Sequence, residues 1–144
     1  MLSVPLRYIP RSLTKRDQKK QAQQLRKSRK LYKKQKYFTR KPLASYKNKP
    51  SNHIINAKRI YNISKIGPSS AFAKATGCSV NTLKRIIQKG EGAYFSSGSR
   101  PNQTAQSWGL ARLASAVTGG KASAVDFNLL ATGCNHTKKA YKLA

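Results

Sequence analysis

The sequence predicts a mainly α-helical protein, with a small domain of four to five short helices, a long ordered loop and an extended or helical basic N-terminal arm. Apolar residues recur at helical spacing from residue 53 onward. The short helical patterns follow Ser, Thr or Asn and end at Gly, which are the usual helix boundaries. We divide the chain into a basic arm and linker (1–52), a helical domain (53–134) and a basic tail (135–144).

The arm is predicted to contain one helix within residues 12–36, a stretch without Gly or Pro that is rich in Lys, Arg, Gln and Leu. Ser12 or Thr14 is a suitable N-cap, and Asp17 lies in the first turn, where an acid is favourable. The helix is polar all round and its like charges repel at i,i+4, so it needs a partner to be stable.

The segments on either side of this helix carry prolines and are predicted to be extended. Residues 1–11 alternate apolar with polar side chains, which is typical of a strand laid onto a neighbouring protein. Residues 37–52 are predicted to be a linker or an extended segment that follows a surface.

The predicted helices of the domain span residues 53–63, 71–76, 82–89, 105–118 and 121–131. Gly77 and Gly90 are predicted to end the second and third helices, because glycine is the usual residue after a helix C-terminus. In the last helix, Val125, Phe127 and Leu129 are predicted to face inward. Gly133 is its predicted C-cap.

A long loop is predicted over residues 90–104, where three glycines and a proline interrupt regular structure. It could cradle a phosphate through backbone N–H groups, or it could form a compact loop that packs its two aromatics over the helices, which is the favoured interpretation. We predict that the loop docks onto a partner. The docking residues are Tyr94, Phe95, Ser97, Arg100 and Asn102.

The charge of the chain indicates that it either repels itself in solution or lies against an acidic partner. Thirty Lys and Arg residues face three acids, which gives a formal net charge of +27. Seventeen of the thirty basic residues lie in the first fifty positions. The partner is a nucleic acid or an acidic protein surface, and a membrane is disfavoured because the arm has no apolar face to insert. The predicted contact residues are Lys15, Arg16, Lys19, Lys20, Arg26, Lys27, Arg29, Lys30, Lys33 and Lys34.

Residues 71–87 resemble the helix-turn-helix of phage-repressor-type DNA-binding proteins, with a Gly at the turn and Ser-Val-Asn-Thr-Leu opening the second helix. The resemblance implies that four residues would face the major groove: Asn81, Thr82, Lys84 and Arg85. The alternative is that these are two packed helices with no reading function.

Catalysis and metal binding have little support in the sequence. Cys78 and Cys134 are predicted to be reduced, partly buried thiols. A zinc site is disfavoured because the chain lacks a CxxC spacing. The three acids are dispersed and no Ser/His/Asp or Cys/His group is close in sequence, so we predict no enzyme activity, no cofactor and no small-molecule substrate.

The loop and the helix after it carry a family resemblance through Gly92-Ala-Tyr-Phe-Ser-Ser-Gly-Ser-Arg-Pro-Asn-Gln-Thr104, Ser107-Trp-Gly-Leu-Ala-Arg112 and Thr118-Gly-Gly-Lys-Ala122. These stretches resemble an uncharacterised domain family of small basic proteins in large double-stranded DNA viruses of algae and amoebae. The resemblance covers roughly residues 37–143. It implies a viral origin and a place in the particle, and it transfers no catalytic residue.

We therefore predict a structural virion protein, a minor capsid protein that ties neighbouring capsid subunits together through its basic arm. A DNA-binding or DNA-packaging protein that uses the arm and the helix-turn-helix is the first alternative. A ribosomal-type RNA-binding protein is the second. Other capsid proteins are the predicted partners, with DNA as the alternative partner.

Overall fold

A computed structural model describes residues 6–48 and 51–144, and the predicted mainly α-helical class is confirmed. A short 3-10 helix at Leu6–Tyr8 precedes eight α-helices. Within the described ranges these are α1 Lys15–Lys33, α2 Asn52–Tyr61, α3 Ser70–Thr76, α4 Val80–Ser96, α5 Ala105–Val117, α6 Lys121–Val125, α7 Phe127–Gly133 and α8 Lys139–Leu143. The described residues contain no strand, and Cys78 and Cys134 pair as an isolated β-bridge.

The chain forms two compact units, and each is discontinuous in sequence. The first unit contains the described residues up to 48 together with residues 91–108. The second unit contains the described residues from 51 to 90 together with residues 109–144. This grouping differs from the predicted arm and helical domain, because the arm shares its unit with the stretch that was assigned to a docking loop.

The first unit is built around α1, which lies within the predicted range and begins at the predicted cap. The Thr14 side chain accepts a hydrogen bond from the backbone N–H of Asp17 at 3.2 Å. One side of α1 is buried, and it is mostly polar: Gln21, Gln24, Leu25 and Ser28. The core around it contains Tyr8, Leu13, Leu43 and Tyr94.

The second unit has a conventional apolar core. α2 to α5 contribute Ala57, Phe72, Leu83, Ile86, Ile87, Leu113, Ala114, Ala116 and Val117, and the C-terminal helices add Leu129, Leu130 and Ala140. The predicted short helix α3 is confirmed, with Ser69 as its N-cap and Gly77 in the left-handed conformation as its C-cap. The core therefore follows the apolar periodicity of the sequence.

The predicted end of α4 at Gly90 is wrong, because the helix continues to Ser96. A Cβ atom at Gly90 would lie 2.6 Å from the Cα of Gly109, so this glycine permits a close approach of α4 and α5. Glycine costs about 1 kcal/mol in a helix interior without forbidding the helix. The first seven residues of the predicted loop, 90–96, are therefore helix, and residues 97–104 connect α4 to α5.

The predicted helix over residues 121–131 is divided into α6 and α7 at Asp126, whose side chain is 1% exposed. The predicted inward positions Val125 and Phe127 are wrong, since they are 68% and 40% exposed. Leu129 is buried as predicted. Gly133 is the last residue of α7 and Cys134 is its C-cap.

The prediction of reduced thiols is also wrong, because Cys78 and Cys134 form a disulfide across a sequence separation of 56. Both cysteines are buried, and backbone hydrogen bonds join their neighbourhoods: Ser79 N–H to Gly133 O at 2.9 Å and Asn135 N–H to Gly77 O at 2.7 Å. This paired backbone brings the two Cys residues together, which no local sequence pattern indicates.

The predicted extended segment at the N-terminus lies partly outside the described residues, which begin at Leu6. Within the described part, Leu6–Tyr8 is a 3-10 helix rather than an extended strand. Residues 37–48 contain no helix, as predicted for a linker, but they pack against α1 and residues 91–108.

A candidate polyanion-binding surface on the N-terminal helix

The predicted contact residues of the arm lie on α1 and the residue directly after it. Eight of the ten are exposed: Lys15, Arg16, Lys19, Lys20, Lys27, Lys30, Lys33 and Lys34. The other two, Arg26 and Arg29, are half-buried. The Arg29 guanidinium donates to the backbone carbonyl of Ser97 at 2.9 Å, so it helps to hold the helix in place.

The buried side of α1 is fixed by side-chain amides. Gln21 donates to the carbonyls of Tyr8 and Ser99 at 3.1 and 3.3 Å. Gln24 accepts from the backbone N–H of Lys41 at 2.6 Å and donates to the Lys41 carbonyl at 3.3 Å. Because these bonds define which side of the helix faces the unit, the lysines project from the opposite side in a defined arrangement.

A buried arginine, Arg40, joins the extended segment that follows α1 (residues 37–48) to α1 itself and to the C-terminus of α4. Arg40 is 6% exposed, and its guanidinium donates to Ser28 Oγ at 2.8 Å, to the Tyr94 carbonyl at 2.9 Å and to Ser99 Oγ at 2.7 Å. Its guanidinium carbon also lies 3.8 Å from the centroid of the Tyr94 ring. Burial lowers the pKa of Arg40 below its ordinary value.

These contacts satisfy the carbonyls at the end of α4. The last carbonyls of a helix have no partner within the helix and carry partial negative charge. Arg40 donates to the Tyr94 carbonyl, Ser28 to the Phe95 carbonyl at 3.2 Å, and Arg29 to the Ser97 carbonyl. The basic N-terminal segment, which contains Arg29 and Arg40, is therefore bound to its own chain at the negative end of the α4 dipole rather than at carboxylates.

Asp17 is the single acid on α1, so most of the positive charge of this helix is not compensated within it. Arg112 donates twice to Asp126 at 2.8 Å, and Lys89 lies 3.5 Å from the same carboxylate. The hydrogen bond to Asp126 raises the pKa of Arg112. Hydrogen bonds from Ser45 lower the pKa of Asp17. Both ion pairs among the described residues involve Asp126. The exposed Lys and Arg side chains of α1 therefore form no ion pair with a described residue.

The residues predicted to dock onto a partner are engaged mainly within the first unit. Tyr94 is fully buried, and its hydroxyl accepts from the backbone N–H of Arg40 at 2.9 Å. Phe95 stacks on Tyr32 with a centroid separation of 6.5 Å. Asn102 accepts from the Leu43 N–H at 2.6 Å. Of the five predicted docking residues, Arg100 and Ser97 are exposed, and Ser97 accepts from Arg29.

The residues predicted to read DNA lie in the first turns of α4. Asn81, Lys84 and Arg85 are exposed. Thr82 is 6% exposed and its hydroxyl lies 2.8 Å from Ser79 Oγ, so it is packed inside rather than facing outward. The structure therefore brings three of the four predicted residues to the surface.

The described residues contain no group of three or more His, Cys, Asp and Glu side chains that could hold a metal ion. The two thiols considered as zinc ligands are joined in the disulfide. His136 stacks on Tyr141 with a centroid separation of 3.8 Å, and its Nε2 is 2.7 Å from the Ala131 carbonyl. No helix in residues 6–48 and 51–144 combines the length and apolarity that crossing a bilayer requires.

Sequence reasoning missed Phe38, which contributes to this surface, and the buried Arg40, which holds its own segment against α1. Both lie in a stretch predicted to be a linker, and the only local signal is a pair of aromatic residues close to a pair of basic residues in Tyr37-Phe38-Thr39-Arg40-Lys41. In the structure this segment runs beside α1, where Lys27 Nζ lies 4.5 Å from the centroid of the Phe38 ring. The surface therefore combines helix lysines with an aromatic from the extended segment.

The chain belongs to DUF5824, a family of unknown function whose model matches residues 5–131. No curated protein and no solved structure matches the chain.

Proposed function

We propose that this member of the DUF5824 family is a structural virion protein of a large double-stranded DNA virus, a minor capsid protein whose helix α1 binds acidic surfaces of neighbouring capsid subunits. The observation that carries the proposal is the exposed side of α1, where a helix fixed to its own unit presents lysines that make no ion pairs among the described residues. Its outer row contains Lys15, Lys19, Lys30 and Lys33, which helical spacing places on one side.

Helix α1 is already held in place in the free protein, which supports the proposal that its exposed side binds a partner. A free basic helix would lose conformational entropy on binding, which lowers its affinity. Here Gln21, Gln24 and Leu25 already fix the helix against its own unit. The proposal therefore requires no folding step, and complementary charge supplies both attraction and fast association.

The disulfide supports a place in the particle. Disulfides persist in secreted proteins and on virion surfaces and are rare in the reducing cytosol. The Cys78–Cys134 bridge therefore favours a protein that spends its functional life outside a reducing compartment. The resemblance of residues 92–122 to small basic proteins of large DNA viruses points to the same location.

The contacts of Asp126 and Asp17 fit a binding role better than an enzymatic role. Asp126 is 1% exposed and is neutralised by Arg112 and Lys89. Asp17 accepts hydrogen bonds from Ser45. General acid–base chemistry needs a carboxylate or imidazole that reaches a substrate, and these two carboxylates are committed to structure.

A second candidate, a DNA-binding protein, is favoured by the exposed Asn81, Lys84 and Arg85 at the start of α4. The buried Thr82 removes one of the four residues that the resemblance to a repressor would use. On this alternative, replacing Lys84 and Arg85 by Ala should weaken DNA binding and reduce its salt dependence, as expected for lost phosphate contacts.

The proposal is tested by lysine-specific cross-linking and mass spectrometry on purified particles. The outer row is expected to give cross-links to other capsid proteins. Lys58, Lys65 and Lys142, exposed lysines of the second unit, serve as internal controls for general reactivity. Absence of the chain from particles, or an outer row with no cross-link to another capsid protein, would refute the proposal.

A further inference from the structure

An open groove of about 270 Å³ lies within the first unit, between α1 and the extended segment that follows it. Its lining residues are Lys20, Gln23, Gln24, Lys27, Phe38 and Lys41. Lys20 and Lys27 are seven residues apart on α1, a spacing that puts both on the same side of the helix. The groove therefore has cations on two walls and one aromatic ring.

The walls of the groove are held together by the side chain of Gln24. Its amide accepts from the backbone N–H of Lys41 and donates to the Lys41 carbonyl, so the extended segment is fixed to α1 at this point. No carboxylate lines the groove, and its three lysines make no ion pair with any residue in the described ranges. An anion entering the groove would meet three ammonium groups without breaking an ion pair between described residues.

The aromatic ring gives the groove a second chemistry. Phe38 is half-buried, and the ammonium of Lys27 lies over it at 4.5 Å from the ring centroid. A cation over a ring is a weak contact at an exposed site, about 0.5–1 kcal/mol. A flat, uncharged ring system can therefore replace the ammonium, and Lys27 can then turn to a neighbouring anion.

We propose that this groove binds a single-stranded nucleic acid, with Lys20, Lys27 and Lys41 on its phosphates and one base stacked on Phe38. Single strands are bound by this combination of cations along the backbone and aromatic rings under the bases. An acidic peptide would satisfy the lysines but offers no base to cover Phe38. A duplex keeps its bases stacked on one another, so it would not use the ring either.

This inference goes beyond the proposed function and does not rest on it. The groove uses Lys20, Lys27 and Lys41, whereas the proposed capsid contact uses the outer row of α1. A protein absent from particles could still bind single strands through the groove. Conversely, a capsid protein could lack this activity.

The first test compares two probes of equal length, an oligothymidylate and the same oligomer with abasic sites, by fluorescence anisotropy with the full chain. Phe38→Leu keeps an apolar side chain but removes the ring. It is expected to weaken oligothymidylate binding about 5- to 150-fold and to leave abasic binding unchanged. Phe127→Leu, a partly exposed ring in the second unit, is the matched control and should change neither.

The second test removes charge. Replacing Lys20, Lys27 and Lys41 together by Gln should make the negative slope of log K against log salt less steep by about 2, since each single-strand phosphate contact contributes roughly 0.7 to its magnitude. The control replaces Lys58, Lys65 and Lys142, which removes the same charge from the second unit. A control with an equal loss would mean that net charge alone drives binding, which would overturn the proposal.

Two further results would also overturn it. If Phe38→Leu weakens both probes equally or neither, no base stacks on the ring. If polyglutamate binds as tightly as oligothymidylate and shows the same loss in the triple lysine variant, the groove takes an acidic protein instead. Far-UV circular dichroism of each variant confirms that the helices are retained.

Discussion

Arg40 gives the sharpest test of how the basic segment is held on its own chain. Replacing Arg40 by Met keeps a long apolar side chain but removes the guanidinium. Three hydrogen bonds are lost, at 2.8, 2.9 and 2.7 Å, together with the contact with the Tyr94 ring. The Tyr94 carbonyl then loses its partner at the end of α4.

The expected loss follows from opposing terms. Hydrogen bonds to a charged group contribute about 1.5–3 kcal/mol each, so three of them contribute roughly 5–9 kcal/mol. Removing a guanidinium from water costs several kcal/mol, and here no carboxylate offsets that cost. We expect the difference to favour the arginine, so that Arg40→Met lowers the free energy of unfolding by about 2–4 kcal/mol.

Urea denaturation followed by far-UV circular dichroism measures this loss. With an m value of roughly 1.5–2 kcal/mol/M, the midpoint should fall by about 1–2.5 M. Arg100→Met, an exposed arginine of the same unit, is the control and should lie within about 0.5 kcal/mol of the natural chain. A Met variant as stable as the natural chain would show that desolvation outweighs the hydrogen bonds, which would refute the reasoning.

Three further predictions address the rest of the fold. Replacing both cysteines of the disulfide by serine should lower the free energy of unfolding by about 4 kcal/mol, since the bridge closes a loop across a sequence separation of 56. In the same urea assay, a reductant should destabilise the natural chain and leave the double serine variant unchanged. Gly133→Ala would put a Cβ atom 1.8 Å from Thr82 Oγ1 and should cost about 1–3 kcal/mol. Gly67→Ala meets nothing within 4 Å and is the matched control, and equal melting temperatures for the two variants would contradict the packing argument. The hydrogen bonds from Ser45 lower the pKa of Asp17, so they stabilise the fold above the ordinary aspartate pKa of about 3.9 and this stabilisation is lost as the pH falls below that value. Ser45→Ala should therefore reduce the dependence of the melting temperature on acid pH. An unchanged pH profile of the melting temperature would exclude this role of Ser45.

The helices that the sequence predicts best are those with local boundary signals. Thr14 before α1, Ser69 before α3 and Gly77 after it act as their residue types indicate. Such caps work through hydrogen bonds within a few residues. The mainly α-helical class therefore follows from periodicity and caps alone.

The errors arise where a distant residue decides the local structure. Gly90 resembles a helix end, but its small size serves a close contact with Gly109. Residue types alone cannot distinguish a glycine that ends a helix from one that permits close packing, because the deciding atom lies on another helix. The disulfide was missed for the same reason, since its cysteines are 56 residues apart.

The candidate surface was predicted in part. Charge counts identified the lysines of α1, but the side of the helix that remains exposed depends on Gln21 and Gln24, which polarity scales place at the surface. Their amides are buried because backbone carbonyls and N–H groups of other segments meet them. The predicted docking aromatics Tyr94 and Phe95 were placed in a loop, whereas the structure places them in α4.

The discontinuity of the first unit has a consequence for synthesis. Ser28 emerges from the ribosome long before its acceptor Phe95, with a sequence separation of 67. At 5–20 residues per second this interval is on the order of 3–13 s. During that time α1 lacks the helix end that its Ser28 and Arg29 later cap, and the RNA of the ribosome is close by. Nascent chains should therefore associate with polyanions before they fold, and purification should begin with a high-salt wash.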